Sequence, residues 1–203
     1  ARKVADEMRA KAAAAKSASI EREHAADLEH VPALIADLAS PDAKKRFEAA
    51  LELGRIDPPA ESGAVAALVK ALEDSAEKVR TQAAISLGWM RAEGAVGALI
   101  ARLKSGCKWD RRRAIQSLGQ IGEPRAAAAI RPFVDSKDNE ERLLAILALG
   151  WLKDTDSVPK FLKLASVTHR TERLMAMAAA RALGDIGSKN ARGTLAALGE
   201  ASK

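Results

Sequence analysis

The 203-residue sequence has no tyrosine, three phenylalanines, three tryptophans, three histidines and a single cysteine, Cys107. One thiol excludes an internal disulfide and a cysteine-based zinc site. An aromatic content of 3% argues against a β-sandwich, whose strands draw on Tyr, Phe, Thr and Val. Also missing are the phosphate-cradling G-x-x-x-x-G-K-[ST] and G-x-G-x-x-G loops, the metalloprotease H-E-x-x-H and the nucleophile elbow G-x-S-x-G, and none of His24, His30 and His169 is followed by Glu. His24, Asp27 and His30 share a helix face at spacings of three, an arrangement we read as surface rather than as a metal site. Cys107 has no histidine close in sequence to activate it. The expectation is a chain without catalytic residues, metal or cofactor.

Long apolar runs are absent too. The most apolar stretch, "LLAILALGWL" at 143 to 152, reaches about half of the ~30 Å hydrocarbon thickness that a spanning helix must cross. The first sixteen residues, "ARKVADEMRAKAAAAK", lack the leucine-rich core of a secretory signal, which suggests a cytoplasmic protein. A ten-residue helix without a polar face must nevertheless be covered on every side, by its own chain or by a partner.

What the chain does have is Ala, Leu, Ile and Val, with a hydrophobic content of 48%. That suits one medium domain of closely packed helices. It also has internal repeats. "RFEAALELGRI" at 46 to 56, "RTQAAISLGWM" at 80 to 90, "RRRAIQSLGQI" at 111 to 121 and "RLLAILALGWL" at 142 to 152 align, and "AMAAARALGDI" at 176 to 186 keeps Leu-Gly but not the arginine. Each follows a second amphipathic segment, starting near Val31, Val65, Val96, Ala127 and Val158, at spacings of 34, 31, 31 and 31 residues. Two helical patterns per fixed period, separated by turns such as "SPD" at 40 to 42, identify an α-solenoid. The Leu-Gly glycines read as left-handed helix stops, and Pro32 and Pro159 as first-turn residues.

The recurring V-R-x-x-A-A-x-x-L-G-x-I resembles HEAT-repeat proteins, specifically the short bacterial type called phycobilisome-lyase-like HEAT repeats, over about residues 31 to 203. The resemblance implies an all-α, right-handed α-solenoid of about five helical hairpins; outside it, the composition of 1 to 30 reads as a charged, alanine-rich helical arm, and 190 to 203 as a terminal half repeat. It also implies that Arg46, Arg80, Arg111 and Arg142 pair with carboxylates of the preceding turn or the neighbouring repeat. The family consists mostly of adaptors, so a protein or peptide ligand is expected. No motif specific to bilin lyases carries over, and the iron-dependent hydroxylases that resemble HEAT proteins need His-Glu pairs that this chain lacks.

In such a solenoid the second helices line the concave face. Counting back from each Leu-Gly places Lys44, Glu48 and Glu52 there in the first unit, then Lys78, Gln82 and Ser86, then Trp109, Arg113 and Ser117, then Glu140, Leu144 and Ala148, and finally Leu174, Ala178 and Ala182. The surface thus turns apolar toward the C-terminal end, where Leu144, Leu147, Ala148, Trp151, Met175 and Ala178, with Leu143 and Met177 nearby, are the candidate protein-binding residues. The residues after each Leu-Gly are Arg55, Trp89, Gln120, Trp151 and Asp185. They form one edge of the groove, with Trp89 and Trp151 as candidate anchors.

A second candidate site is "RLKSGCKWDRRR" at 102 to 113, with six basic residues against one acidic. Arg102, Lys104, Lys108, Arg111, Arg112 and Arg113 around Trp109 have the composition of a phosphate-and-base contact. The HEAT-like alkylpurine DNA glycosylases resemble this in using Trp and Asp in a basic groove, and Trp109 and Asp110 are the matching pair. Nucleic acid is therefore the alternative partner.

Overall fold

The computed structural model describes residues 26–166 and 173–187. Among these residues there are ten helices and no strand. Residues 26–37 form α1, followed by α2 (Ala43–Ile56), α3 (Ala64–Ala71), α4 (Glu77–Trp89), α5 (Val96–Arg102), α6 (Lys108–Ile121), α7 (Ala127–Ile130, prolonged by the 3-10 turn Arg131–Asp135), α8 (Asn139–Trp151), α9 (Val158–Ala165) and α10 (Arg173–Ile186). Even-numbered helices pack on one another in succession, and α4, α6, α8 and α10 are each backed by the odd-numbered helix before them. The result is an all-α, right-handed solenoid of five helical hairpins. No helix among the described residues is long and apolar enough to cross a membrane. The terminal half repeat and most of the arm lie outside the described residues. At the junction of arm and first repeat, 26–30 and 31–37 belong to one helix, so Pro32 sits inside α1 and not in its first turn.

The turns repeat as the helices do. Ser40, Asp74, Ser105 and Ser136 each accept, through a side-chain oxygen, the backbone N–H two residues on, at 2.8 to 3.2 Å. This closes a small side-chain ring just before α2, α4, α6 and α8. Asp42 and Asp138 then cap α2 and α8 by accepting from Lys44 N and from Glu140 N and Glu141 N, satisfying donors that a helix start leaves orphaned.

The core follows the repeat register. The leucine of each Leu-Gly, Leu53, Leu87, Leu118, Leu149 and Leu183, is fully buried, and Leu68, Leu99, Ile130 and Phe161 meet them from the outer layer. Burying one such side chain contributes roughly 1.5–3 kcal/mol.

The Leu-Gly glycines are not helix stops. Gly54, Gly88, Gly119 and Gly150 lie within α2, α4, α6 and α8, and the left-handed residues are instead Asp57, Arg91, Gly122, Lys153 and Gly187. A Cβ on Gly54 would lie 2.8 Å from Ser86 Cα, on Gly119 2.8 Å from Ala148 Cα, and on Gly150 2.8 Å from Ala182 Cα, while on Gly88 it would lie 3.0 Å from Ser117 Cα. Glycine is there because backbone meets backbone. In the first two seams the facing serine also binds across, Ser86 Oγ donating to the Ala50 carbonyl at 2.7 Å and Ser117 Oγ to that of Ala84 at 2.6 Å.

This distinguishes two classes of glycine. Gly150→Ala forces the backbones of α8 and α10 apart and is expected to lower unfolding stability by about 1–3 kcal/mol. Gly97→Ala, in α5 with open space around the added methyl, is expected to be neutral or stabilising by up to about 1 kcal/mol. Urea denaturation of both variants checks the contrast; equal effects would contradict it.

Candidate functional site

The arginine ladder is structural. Arg46 donates to Asp74 at 2.6 and 2.8 Å and to the carbonyls of Ser40 and Pro41. Arg80 donates to Asp110 at 3.0 and 3.2 Å and to the carbonyls of Asp74 and Ser75. Arg111 donates to Glu141 at 2.8 Å and to the carbonyls of Ser105 and Gly106. Each guanidinium therefore holds its own turn through Nη1 and the next repeat through Nε. Arg142 occupies the same register position in α8. The Arg46 guanidinium holds the Asp74 carboxyl below the usual carboxylate range, against a smaller upward push from burial.

The same accounting reshapes the basic stretch. Arg102 pairs with Asp110 and Glu73, Arg111 with Glu141, and the buried Arg112 with Asp138 and Glu140. Hydrogen bonds from the Glu141 N–H and from Arg112 keep Asp138 ionised below its ordinary range. Arg113 donates to Gln116 at 2.8 Å, and Lys104 and Lys108 are exposed. The Trp109 ring lies under Lys108 at 5.3 Å and Arg112 at 4.9 Å, so its face is already occupied by the chain's own cations.

On the inner helices the counted positions farther from Leu-Gly, among them Lys44, Glu48, Lys78, Arg113, Leu144 and Leu174, are exposed or half-buried, but most of those nearer it are not surface. Gln82, Ser86, Ser117, Ala148, Ala178 and Ala182 are buried, because the residue before each Leu-Gly faces the glycine of the preceding inner helix. Three candidate contact residues are thus corrected. Ala148 is 0%, Met175 3% and Ala178 6% exposed, all packed between helices. The exposed stripe runs through Thr81 and Ile85 on α4, Arg113 and Gln116 on α6, Leu143, Leu144 and Leu147 on α8, and Leu174, Met177 and Arg181 on α10. At its C-terminal end Leu174 (58%), Met177 (62%) and Trp151 (38%) are the exposed large apolar side chains, with Leu143, Leu144 and Leu147 half-buried beside them.

The second feature lies where α4, α6, α8 and α10 end. An open groove of about 670 Å³ is lined there by Trp89, Gln120, Trp151 and Asp185, the residues that follow Leu-Gly, together with Arg91, Gly122 and Lys153. Three of the Leu-Gly glycines, Gly88, Gly119 and Gly150, lie at its base. Trp151 leans over Gly119, where an added Cβ would come within 2.9 Å of the ring. Sequence reasoning placed the two tryptophans here but passed over Arg91 and Lys153, although the parallel "GWMR" and "GWLK" carried the signal.

The family model for HEAT repeats matches residues 31–113 and again 96–178. Among solved structures the chain is similar to the complex of CpcE and CpcF of phycocyanin lyase from Nostoc sp. PCC7120, at 29% identity and a TM-score of 0.68. That match covers 80% of this chain and 66% of the other, so the chain spans just under two thirds of that relative's length. An engineered protein is similar at 25% identity and TM-score 0.61, covering 84% and 85% of the two chains. Human deoxyhypusine hydroxylase, in complex with glycerol, shares the fold at 21% identity and TM-score 0.56, with 84% and 67% covered. No curated protein sequence matches the chain.

The ladder carries a pH dependence. Asp74 is held ionised in the folded state, so its contribution is complete above the ordinary carboxylate value of about 4 and is lost as pH falls through its lower folded value. Asp74→Asn is expected to lower stability at neutral pH and to flatten the acid limb of a stability-against-pH curve. An unchanged acid limb would contradict the assignment.

Proposed function

The chain belongs to the HEAT-repeat family, and from that premise we propose that it is a non-catalytic scaffold that binds a protein or peptide on its concave C-terminal half. The observation that carries this reading is the apolar end of the inner stripe. Trp151, Leu174 and Met177 are exposed on the adjacent helices α8 and α10, next to half-buried Leu143, Leu144 and Leu147. Large apolar side chains grouped at one end of an otherwise polar stripe mark an interaction surface. Methionine and leucine let that surface adapt to a partner's shape.

The likeness to a phycocyanin lyase complex, over 80% of this chain, supports a second reading, in which the scaffold acts as a lyase-like accessory to a bilin-bearing protein. Pigment retained on co-expression with a bilin and its acceptor would separate the two. Nucleic-acid binding through residues 102–113 has less support, because Arg102, Arg111 and Arg112 are tied to carboxylates and Trp109 is flanked by cations.

Selection of peptides from a phage-displayed library tests the first reading. Leu174→Glu with Met177→Glu alters exposed side chains only and is expected to change stability by no more than about 0.5 kcal/mol per substitution. Selected peptides are expected to lose about tenfold or more in affinity for that variant. Undiminished binding would place the ligand elsewhere and overturn the reading.

A further inference from the structure

The groove at the ends of α4, α6, α8 and α10 has a charge pattern that the apolar stripe does not explain. Its second and fourth repeats present the same pair, Trp89 with Arg91 and Trp151 with Lys153, while the third presents Gln120 and Gly122. Two posts, each an indole and a cation, therefore stand on either side of a low middle repeat. Arg91 and Lys153 are exposed, and among the described residues neither has an ion-pair partner.

Both cations sit on left-handed backbone, with φ of 46° for Arg91 and 54° for Lys153. In each case the helix end closes with the same two bonds. Arg91 N donates to the Gly88 carbonyl and Ala92 N to that of Leu87, and Lys153 N donates to Gly150 and Asp154 N to Leu149. This is a helix-stop geometry whose left-handed position favours glycine, since a Cβ there is strained. The equivalent positions in the third and fifth repeats are Gly122 and Gly187. Backbone closure needs no side chain, so the long cations at these two positions are left to reach into the groove they line.

We infer that this groove is the seat of an extended peptide segment carrying two carboxylates about six residues apart, with apolar side chains between them on the same face. This rests on the reading of the chain as a peptide-binding scaffold and specifies the peptide. Inner helices about 8–10 Å apart put posts two repeats apart at roughly 16–20 Å. An extended chain spans that distance in about six residues, with alternate side chains on one face. The carboxylates meet Arg91 and Lys153, and the intervening apolar side chains meet the indole rings of Trp89 and Trp151, the latter lying across Gly119 of the middle repeat. Asp185, the carboxylate among the described lining residues, follows Lys153 in the next repeat, so a segment that stays acidic beyond its second carboxylate is repelled.

The probe is a fluorescein-labelled heptapeptide, Glu-Ser-Leu-Ser-Leu-Ser-Glu, compared by anisotropy with Lys-Ser-Leu-Ser-Leu-Ser-Lys on the full chain. The glutamate peptide is expected to bind, to weaken steeply with added salt, and to outcompete the lysine peptide by about tenfold or more. Arg91→Gly and Lys153→Gly are expected each to weaken binding by about tenfold while raising Tm, because glycine relieves the left-handed strain. A purely structural role would leave binding untouched. The double reversal Arg91→Glu, Lys153→Glu is expected to transfer preference to the lysine peptide. Equal binding of the two peptides, or unchanged binding by the glycine variants, overturns the inference. If library-selected peptides still bind through Leu174 and Met177, only this inference falls; if they also fail, the scaffold reading falls with it.

Discussion

The close approach of successive inner helices is the constraint on which the rest depends. Gly54, Gly88, Gly119 and Gly150 each meet the residue before the next Leu-Gly, first Ser86 and Ser117, then Ala148 and Ala182. No side chain fits between backbones at that separation, so the stacking direction and spacing of the solenoid are set there. Leucines one position earlier then point into the layer between inner and outer helices, where they are fully buried. The arginine ladder works on top of this spacing. Arg46, Arg80 and Arg111 reach the next repeat only because the seam beneath them brings it within hydrogen-bond distance.

The seam also decides how little of each inner helix is left for function. One side is closed by the preceding inner helix, one by the following, and one by the outer layer, so a few positions per repeat remain. In the first repeats they are Lys44, Glu48, Lys78 and Thr81; in the last they are Leu144, Leu147, Leu174 and Met177. A solenoid is thus read by its partner as a short row of side chains whose character changes along the axis. The "LLAILALGWL" segment resolves accordingly. Ala145, Ile146, Ala148 and Leu149 are covered by the chain, while Leu143, Leu144 and Leu147 stay half-open and Trp151 is exposed at the helix end.

The architecture was legible in the sequence because a repeat states its own register. The two-helix period recurs in the outer helices that begin at Ala64, Val96, Ala127 and Val158, and Arg46, Arg80 and Arg111 pair with carboxylates of the next repeat. The site was only partly legible. The residue before Leu-Gly is seam and not surface because it faces the Leu-Gly glycine of the preceding inner helix, a contact that the periodicity of a single helix does not display. Pairing between repeats was also hidden: the carboxylates that neutralise Arg111 and Arg112 lie about thirty residues away in sequence, at Glu141, Asp138 and Glu140, so the local count of 102–113 overstated the available charge. The left-handed backbone of Arg91 and Lys153 leaves no mark on hydrophobic periodicity, and only comparison with Gly122 in the same register exposes it.

The chain's three tryptophans report on three places at once: Trp89 on the edge groove, Trp151 on that groove and the apolar stripe, and Trp109 on the basic stretch. Their indole N–H signals in a heteronuclear NMR titration with a display-selected peptide test the central claim most directly. The account predicts that the Trp151 signal shifts on binding, with or without Trp89, while Trp109 stays in place. A shift confined to Trp109 would contradict it.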